Sequence, residues 1–297
     1  MLAVSESFRV VPNTPSKAMV VSQPPLQTIS GWTIGSICLL QIGITCKQFQ
    51  VQHPPTFKLV DKFGNNIDSG AWYACAELIA NSSETRLYGA TRVPLVDGNA
   101  VFDDIHVLEV KSEYRLKVSM REEDLHGASC DVGNAFTSAT SDPFEITFSA
   151  ARKLVLLQNI STTKGAGTPF TLQPQAALQD DSGNTVLQAD KIMVFAQISS
   201  YRSDPRFPRD VGMSEVMPIY ATCLRNPVNG RQENCREFTE LGVETIEGVA
   251  NFATEIGADG AVKEASLHVQ YMGYYTFRFY ANALVTFSHE FLVRCSW

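Results

Sequence analysis

The chain has 297 residues, with 24 Lys and Arg against 31 Asp and Glu, a net charge of −7. That modest acidic balance shows no basic stripe and excludes the usual electrostatic footprint of a nucleic-acid binder. Hydrophobic residues make up 44% and charged residues 19%, which excludes wholesale disorder; at about 150 residues per domain the length accommodates two cores.

In chain order, residues 5–10 (SESFRV) read as a strand with apolar alternation, and 12–16 as a short Pro- and Ser-containing joint. A strand follows at 18–21. Residues 32–45 (WTIGSICLLQIGIT) form an uncharged run, shorter than the roughly 20 residues a membrane helix needs. Gly35 and Gly43 interrupt it, so it is expected as a buried strand or strand-turn-strand within an insertion over 27–47. Residues 1–5 lack the basic start of a signal peptide, and no export signal is read from this end.

A set of landmarks then recurs in the same order. Residues 55–65 (PTFKLVDKFGN) align with 174–184 (PQAALQDDSGN), both with five residues between Pro and Asp and a final Gly-Asn. Upstream, Phe49, Val51 and Pro54 pair with Phe170, Leu172 and Pro174. Downstream, Trp72, Ala74, Ala76 and Leu78 pair with Ile192, Val194, Ala196 and Ile198, a period-2 face in each. Next come 98–102 (GNAVF) with 248–252 (GVANF), then Tyr114, Leu116 and Val118 with Tyr275, Phe277 and Phe279. The copies close on 141–146 (SDPFEI) and 288–293 (SHEFLV), and 5–10 carries the same ending. A repeat longer than about 50 residues is a tandem domain. Short alternating runs with turns between them, and no sustained helical period, predict an all-β chain of two tandem immunoglobulin-like β-sandwich modules. Residues 1–12 are expected to be the final strand of a preceding module plus a joint, 13–147 the first module and 148–297 the second, with a long inserted loop at 199–240. The chain then reads as a piece of a longer array, with short joints making a semi-rigid rod.

The ordered set of a Ser-x-x-Phe ending, Gly-x-Pro-Phe-x-Leu at 167–172, Asp-x-x-Gly-Asn, Gly-x-Ala-x-Phe and Tyr-x-Leu-x-Val resembles filamin-type and bacterial invasin-like immunoglobulin-fold repeats of large cell-surface proteins. SDPFEI is similar to the filamin Ser-Pro-Phe-x-Val strand with Asp142 inserted. The resemblance implies seven-stranded sandwiches serving as spacers and adhesion modules, peptide binding at a sheet edge in the filamin-type members, and no catalytic residue. Filamin-type repeats in the cytosol are shorter and lack disulfides, so an extracellular or cell-surface setting is expected.

Function on a repeated scaffold is sought where the copies differ. The inserted loop carries Arg202, Arg206, Phe207, Arg209, Tyr220, Arg225 and Arg231, residue types enriched at binding hot spots. Its expected partner is protein, meaning neighbouring modules or copies of the parent protein, or an anionic glycan. Deleting 203–234 tests this. Cys223 and Cys235 bracket its turns, and a disulfide there is worth about 3 kcal/mol in the chain-entropy model. Cys38, Cys46, Cys75 and Cys130 in the first module allow three pairings; Cys38 and Cys46, eight apart, are placed to staple a hairpin, and Cys295 is left over. The sequons place candidate glycans at Asn81, in an expected loop, and at Asn159, beside an apolar run. The five histidines are dispersed, no CxxC, HExxH, GxSxG or P-loop occurs, and Glu122-Glu123-Asp124 lacks EF-hand spacing. No cofactor and no enzymatic activity are expected. Asp61 and Asp180 read as turn-stabilising residues. Two other functions remain open: a carbohydrate-binding accessory module, favoured by exposed Trp32, Trp72 and Trp297 although Trp72 is expected buried, and a cytosolic filamin-like scaffold binding peptides at a sheet edge.

Overall fold

The computed structural model describes residues 11–42, 45–68, 70–80, 85–122, 130, 135–161, 165–187, 191–206, 219–221, 224–225, 232–233, 236–256, 262–264 and 267–294, with backbone alone at 40–49, 220–238 and 254–264. The 1–10 copy of the closing strand lies outside them. Described residues form strands and no helix. They divide into two compact units, Met1–Phe148 and Ser149–Trp297.

The first unit begins with β1 (Pro15–Ser22), β2 (Gln27–Ile29), β3 (Ser36–Ile42), β4 (Thr45–Val51) and β5 (Thr56–Asp61). It continues with β6 (Trp72–Ile79), β7 (Tyr88–Gly89), β8 (Arg92–Pro94), β9 (Asn99–Val101) and β10 (Ile105–His106), then β11 (Lys111–Glu122), β12 (Thr137–Thr140) and β13 (Phe144–Thr147). One sheet runs β1-β5-β9; the other runs β2-β13-β11-β6-β8, with β12 also on β11. Their inner faces meet in one core that joins Phe57, Leu59 and Ala100 to Ala74, Ala76, Tyr114, Leu116, Val118, Phe144 and Ile146. This is an immunoglobulin-like sandwich, as the alternation predicts.

The second unit comprises β14 (Lys153–Gln158), β15 (Gln175–Gln179), β16 (Met193–Arg202), β17 (Ile219–Ala221), β18 (Leu224–Arg225), β19 (Gln232–Glu233) and β20 (Arg236–Phe238). After them come β21 (Leu241–Glu244), β22 (Val249–Asn251), β23 (Thr254–Ile256), β24 (Val262–Glu264), β25 (Gly273–Ala281), β26 (Leu284–Phe287) and β27 (Phe291–Val293). Its sheets are β14-β15-β22 and β21-β16-β25-β26, with β27 on β25. Phe170, Phe252, Tyr275, Phe277, Phe279 and Phe291 dominate the core. The expected loop at 199–240 starts later than the spacing implies, because β16 extends to Arg202 against Tyr274 of β25. Within the insert, β17 pairs with β20 and β18 with β19.

The closing-Ser, Tyr, Gly-x-Ala-x-Phe and Asp-x-x-Gly-Asn motifs map onto the same bonds in both units. The closing Ser sits at a kink in the last strand: the Ser141 N–H donates to Leu116 O (2.8 Å) while Ser141 Oγ accepts from Leu116 N–H (2.9 Å). Ser288 and Phe277 repeat this at 2.9 and 2.9 Å. The Phe three residues on, and the β-branched residue after it, are buried in each copy. The Tyr114 hydroxyl donates to Glu109 O and that of Tyr275 to Tyr271 O, fixing the strand entry. In the Gly-x-Ala-x-Phe motif, Asp97-Gly98 and Glu247-Gly248 both take positive φ at both positions, the two-residue turn that matches strand twist. A Cβ on Gly98 or Gly248 would lie 2.8 or 2.3 Å from a backbone oxygen, so the turn needs Gly there.

Three expectations about the first unit are corrected. The counterpart of Phe170 is Ile34, not Phe49. Phe170 N–H donates to Leu267 O as Ile34 N–H does to Ile105 O. Phe49 lies instead on β4, in a β3–β4 hairpin that leaves the core at Gly35, whose carbonyl accepts from both Gln52 and His53 N–H. The insertion is therefore this hairpin; Gln27–Ile29, assigned to it from the sequence, belongs to the sandwich as β2. Within the apolar run Ile37 and Leu39 are 37% and 47% exposed rather than buried. Its hydrophobicity reflects a strand-forming ribbon projecting from a sheet that has already closed its core.

Candidate functional site

Of the seven loop residues expected to meet a partner, Arg202 and Arg206 have described side chains. The Arg202 guanidinium lies 4.0 Å from the Tyr274 ring centroid and 2.8 Å from Glu290 Oε2; Glu290 raises its pKa further. Arg206 grips the buried Asp204 through Nη2–Oδ2 (2.7 Å) and Nε–Oδ1 (3.1 Å), which lowers the Asp204 carboxyl and raises Arg206. Both arginines thus pair with carboxylates of their own unit. Tyr220 and Arg225 are described in backbone only, on β17 and β18. Phe207, Arg209 and Arg231 lie outside the described residues.

Cys75 on β6 is bonded to Cys130 in the β11–β12 connection, a sequence separation of 55. Cys38 is also disulfide-bonded. Cys46 is described in backbone only, and Cys223, Cys235 and Cys295 lie outside the described residues, as does Asn81. Asn159 is exposed, although its place beside an apolar run suggested partial cover. The reason is a break after β14: Asn159 turns outward and its Oδ1 accepts from His289 N–H at 3.4 Å. Trp72 is half-buried against Phe136 rather than fully buried; Trp32 is half-buried and Trp297 is outside the described residues. No group of three or more His, Cys, Asp or Glu side chains able to hold a metal occurs among the described residues.

Asp61 and Asp180 do more than shape turns. Asp61 Oδ1 accepts from Phe63 and Asn65 N–H (2.8 and 2.9 Å), while Oδ2 accepts from Asn13 N–H at 3.0 Å. Asp180 Oδ1 accepts from Asn184 N–H (2.9 Å) and Oδ2 from Ser149 N–H (3.3 Å). Each carboxylate therefore clamps the segment entering its own unit to the Asp-x-x-Gly-Asn turn. These bonds, Asn13 first, hold the Asp61 carboxyl well below the usual carboxylate range.

A further feature was invisible to the sequence reading. A groove of about 510 Å3 in the first unit is lined by Leu26, Gln27, Ser112, Glu113, Pro143, Phe144 and Glu145. It lies where β13 meets β11 at a bulge between Lys111 and Tyr114. Glu113, inside that bulge, has φ +65°. Sequence shows the closing strand but not the bulge, because no Gly or Asn marks the positive φ.

No protein-family model and no curated protein matches the sequence. Among solved structures, FdeC, an Escherichia coli adhesin, is 14% identical with a TM-score of 0.32, the match covering 97% of this chain and 67% of that one. Yersinia pseudotuberculosis InvD is 12% identical, TM-score 0.32, covering 95% and 70%. A β-glycosidase from Bacteroides vulgatus is 10% identical, TM-score 0.29, covering 95% of this chain and 25% of that one.

Proposed function

We propose that this chain is a non-catalytic segment of an extracellular or surface-displayed structural and adhesion protein. Its two immunoglobulin-like modules maintain spacing, and the surfaces in which they differ contact protein, either neighbouring modules or copies of the parent protein. The observation that carries the reading is the Cys75–Cys130 disulfide, whose Cys75 end is buried on a central strand. Such bonds persist in oxidising compartments and are rare in cytosolic proteins, which weighs against a cytosolic scaffold. The carbohydrate-module alternative calls for an exposed row of aromatics; Trp32 and Trp72 are both half-buried.

Non-reducing peptide mass spectrometry on protein from its native source tests this. The expected result is a Cys75–Cys130 linked peptide. Free thiols at both positions would contradict the extracellular assignment.

A further inference from the structure

Backbone register makes Tyr114 and Phe144 of the first unit equivalent to Tyr275 and Phe291 of the second, since each Tyr pairs with its Phe, across β11–β13 in one unit and β25–β27 in the other. Ser112 and Glu113, in the bulge, together stand where the second unit has Tyr274, and Pro143 corresponds to Glu290. In the second unit that place is filled by the unit's own guanidinium, Arg202, lying on the Tyr274 ring and bonded to Glu290. In the first unit Glu113 and Pro143 both line the groove. Its lining includes Leu26 at 80% exposure, with Glu113 and Glu145 beside it, while the Phe144 side chain itself points into the core. Gln27 Nε2 donates to Glu145 Oε2 at 3.2 Å, orienting that carboxylate. No Lys or Arg among the described residues comes within ion-pair distance of either glutamate.

We infer that this groove receives an arginine side chain presented by a protein partner, taking from outside the group that Arg202 supplies within the second unit. Arginine suits the lining better than lysine. Its guanidinium is weakly hydrated and planar, lies flat on apolar surface and meets carboxylates through paired N–H groups, whereas an ammonium is compact and strongly hydrated. Glu113 is held in the left-handed region inside a β-bulge, where a non-glycine residue is strained and where bulges commonly redirect a side chain. The inference does not depend on the compartment of the protein.

The test is an NMR titration of the isotope-labelled full chain with acetyl-Ala-Arg-Ala-amide, alongside the lysine and citrulline counterparts. Saturable shifts of the Gln27, Glu113 and Glu145 amides are expected with the arginine peptide, weaker ones with lysine and none with citrulline. Glu113→Gln with Glu145→Gln should weaken binding about tenfold, as two exposed ion pairs allow. Glu113→Gly removes the carboxylate while relieving the positive φ; it should weaken binding without lowering the unfolding midpoint, whereas a purely structural Glu113 would leave binding unchanged. Absence of saturation, an equal response to citrulline, lysine binding as tight as arginine, or indifference to the double glutamine variant would each overturn the inference. So would calcium chloride shifting these amides when the arginine peptide does not.

Discussion

The hydroxyl of the closing serine substitutes for a backbone acceptor where the last strand kinks. Removing it leaves the Leu116 or Phe277 N–H buried and unbonded, so Ser141→Ala and Ser288→Ala should each cost about 1–3 kcal/mol in urea unfolding. The sequence displayed this serine in both copies without saying what it did, because a side chain bonding to a distant strand leaves no local signature. Core packing is distributed differently in the two units. Phe102 meets Phe57 edge-on at 6.1 Å, and the equivalent Phe252 meets Phe279 at 5.3 Å. The aligned positions are Ala176 for Phe57 and Val118 for Phe279, so each unit supplies one ring to the same Phe from opposite sheets. Phe57→Ala alone should cost about 3–5 kcal/mol and Val118→Phe alone about 1–3 kcal/mol. The double variant should cost less than their sum by about 1 kcal/mol or more, and strict additivity in a denaturation cycle would remove the compensation.

At the scale of elements, the units part company where β11 turns into β12 and β25 into β26. The second unit makes that turn with Asn282 at positive φ, Ala281 pairing with Leu284. The first interposes a long connection and ties it to β6 through Cys130. The tie falls at the register pair Cys75–Ser119, and the second unit places the stacked pair Phe195–Tyr280 at those positions, 5.3 Å apart. In the chain-entropy model, closing 55 residues is worth about 4 kcal/mol. Cys75→Ser with Cys130→Ser should lower the stability of the first unit by about that amount, read from unfolding of Trp72 fluorescence, and leave the second transition in place. Alternation located the strands of both sandwiches, since a half-buried strand writes its register into every second residue. At 32–45 it gave the strand-turn-strand, now the β3–β4 hairpin, but not the exposure of Ile37 and Leu39, because a buried strand and an exposed one share the same local composition.

For the molecule as a whole, one hydrogen-bond framework is laid down twice. Asp61 shows its consequence for acid stability. Its folded pKa lies below the ordinary value of 3.8, so its contribution is full above that value and is lost as pH falls towards the folded pKa. Asp61→Asn turns an N–H donor towards the donors of Asn13 and Asn65; the variant should be less stable than the parent at pH 7, with the difference shrinking below about pH 4. A difference that grew on acidification would have the wrong sign. The repeat was legible because its landmarks are residues whose type the framework dictates, whereas the groove was not, because Glu113 and Pro143 occupy positions where the copies diverge.

Amide hydrogen exchange on the full chain tests the duplicated framework most directly, by comparing Asp61 with Asp180, Ile67 with Val186, Leu116 with Phe277 and Ser141 with Ser288. Each of these N–H groups donates to the corresponding acceptor in its unit. Strong protection of both members of every pair is expected, with all members within one unit opening together at that unit's unfolding free energy. Protection in one half with free exchange at the matching amides of the other would contradict it.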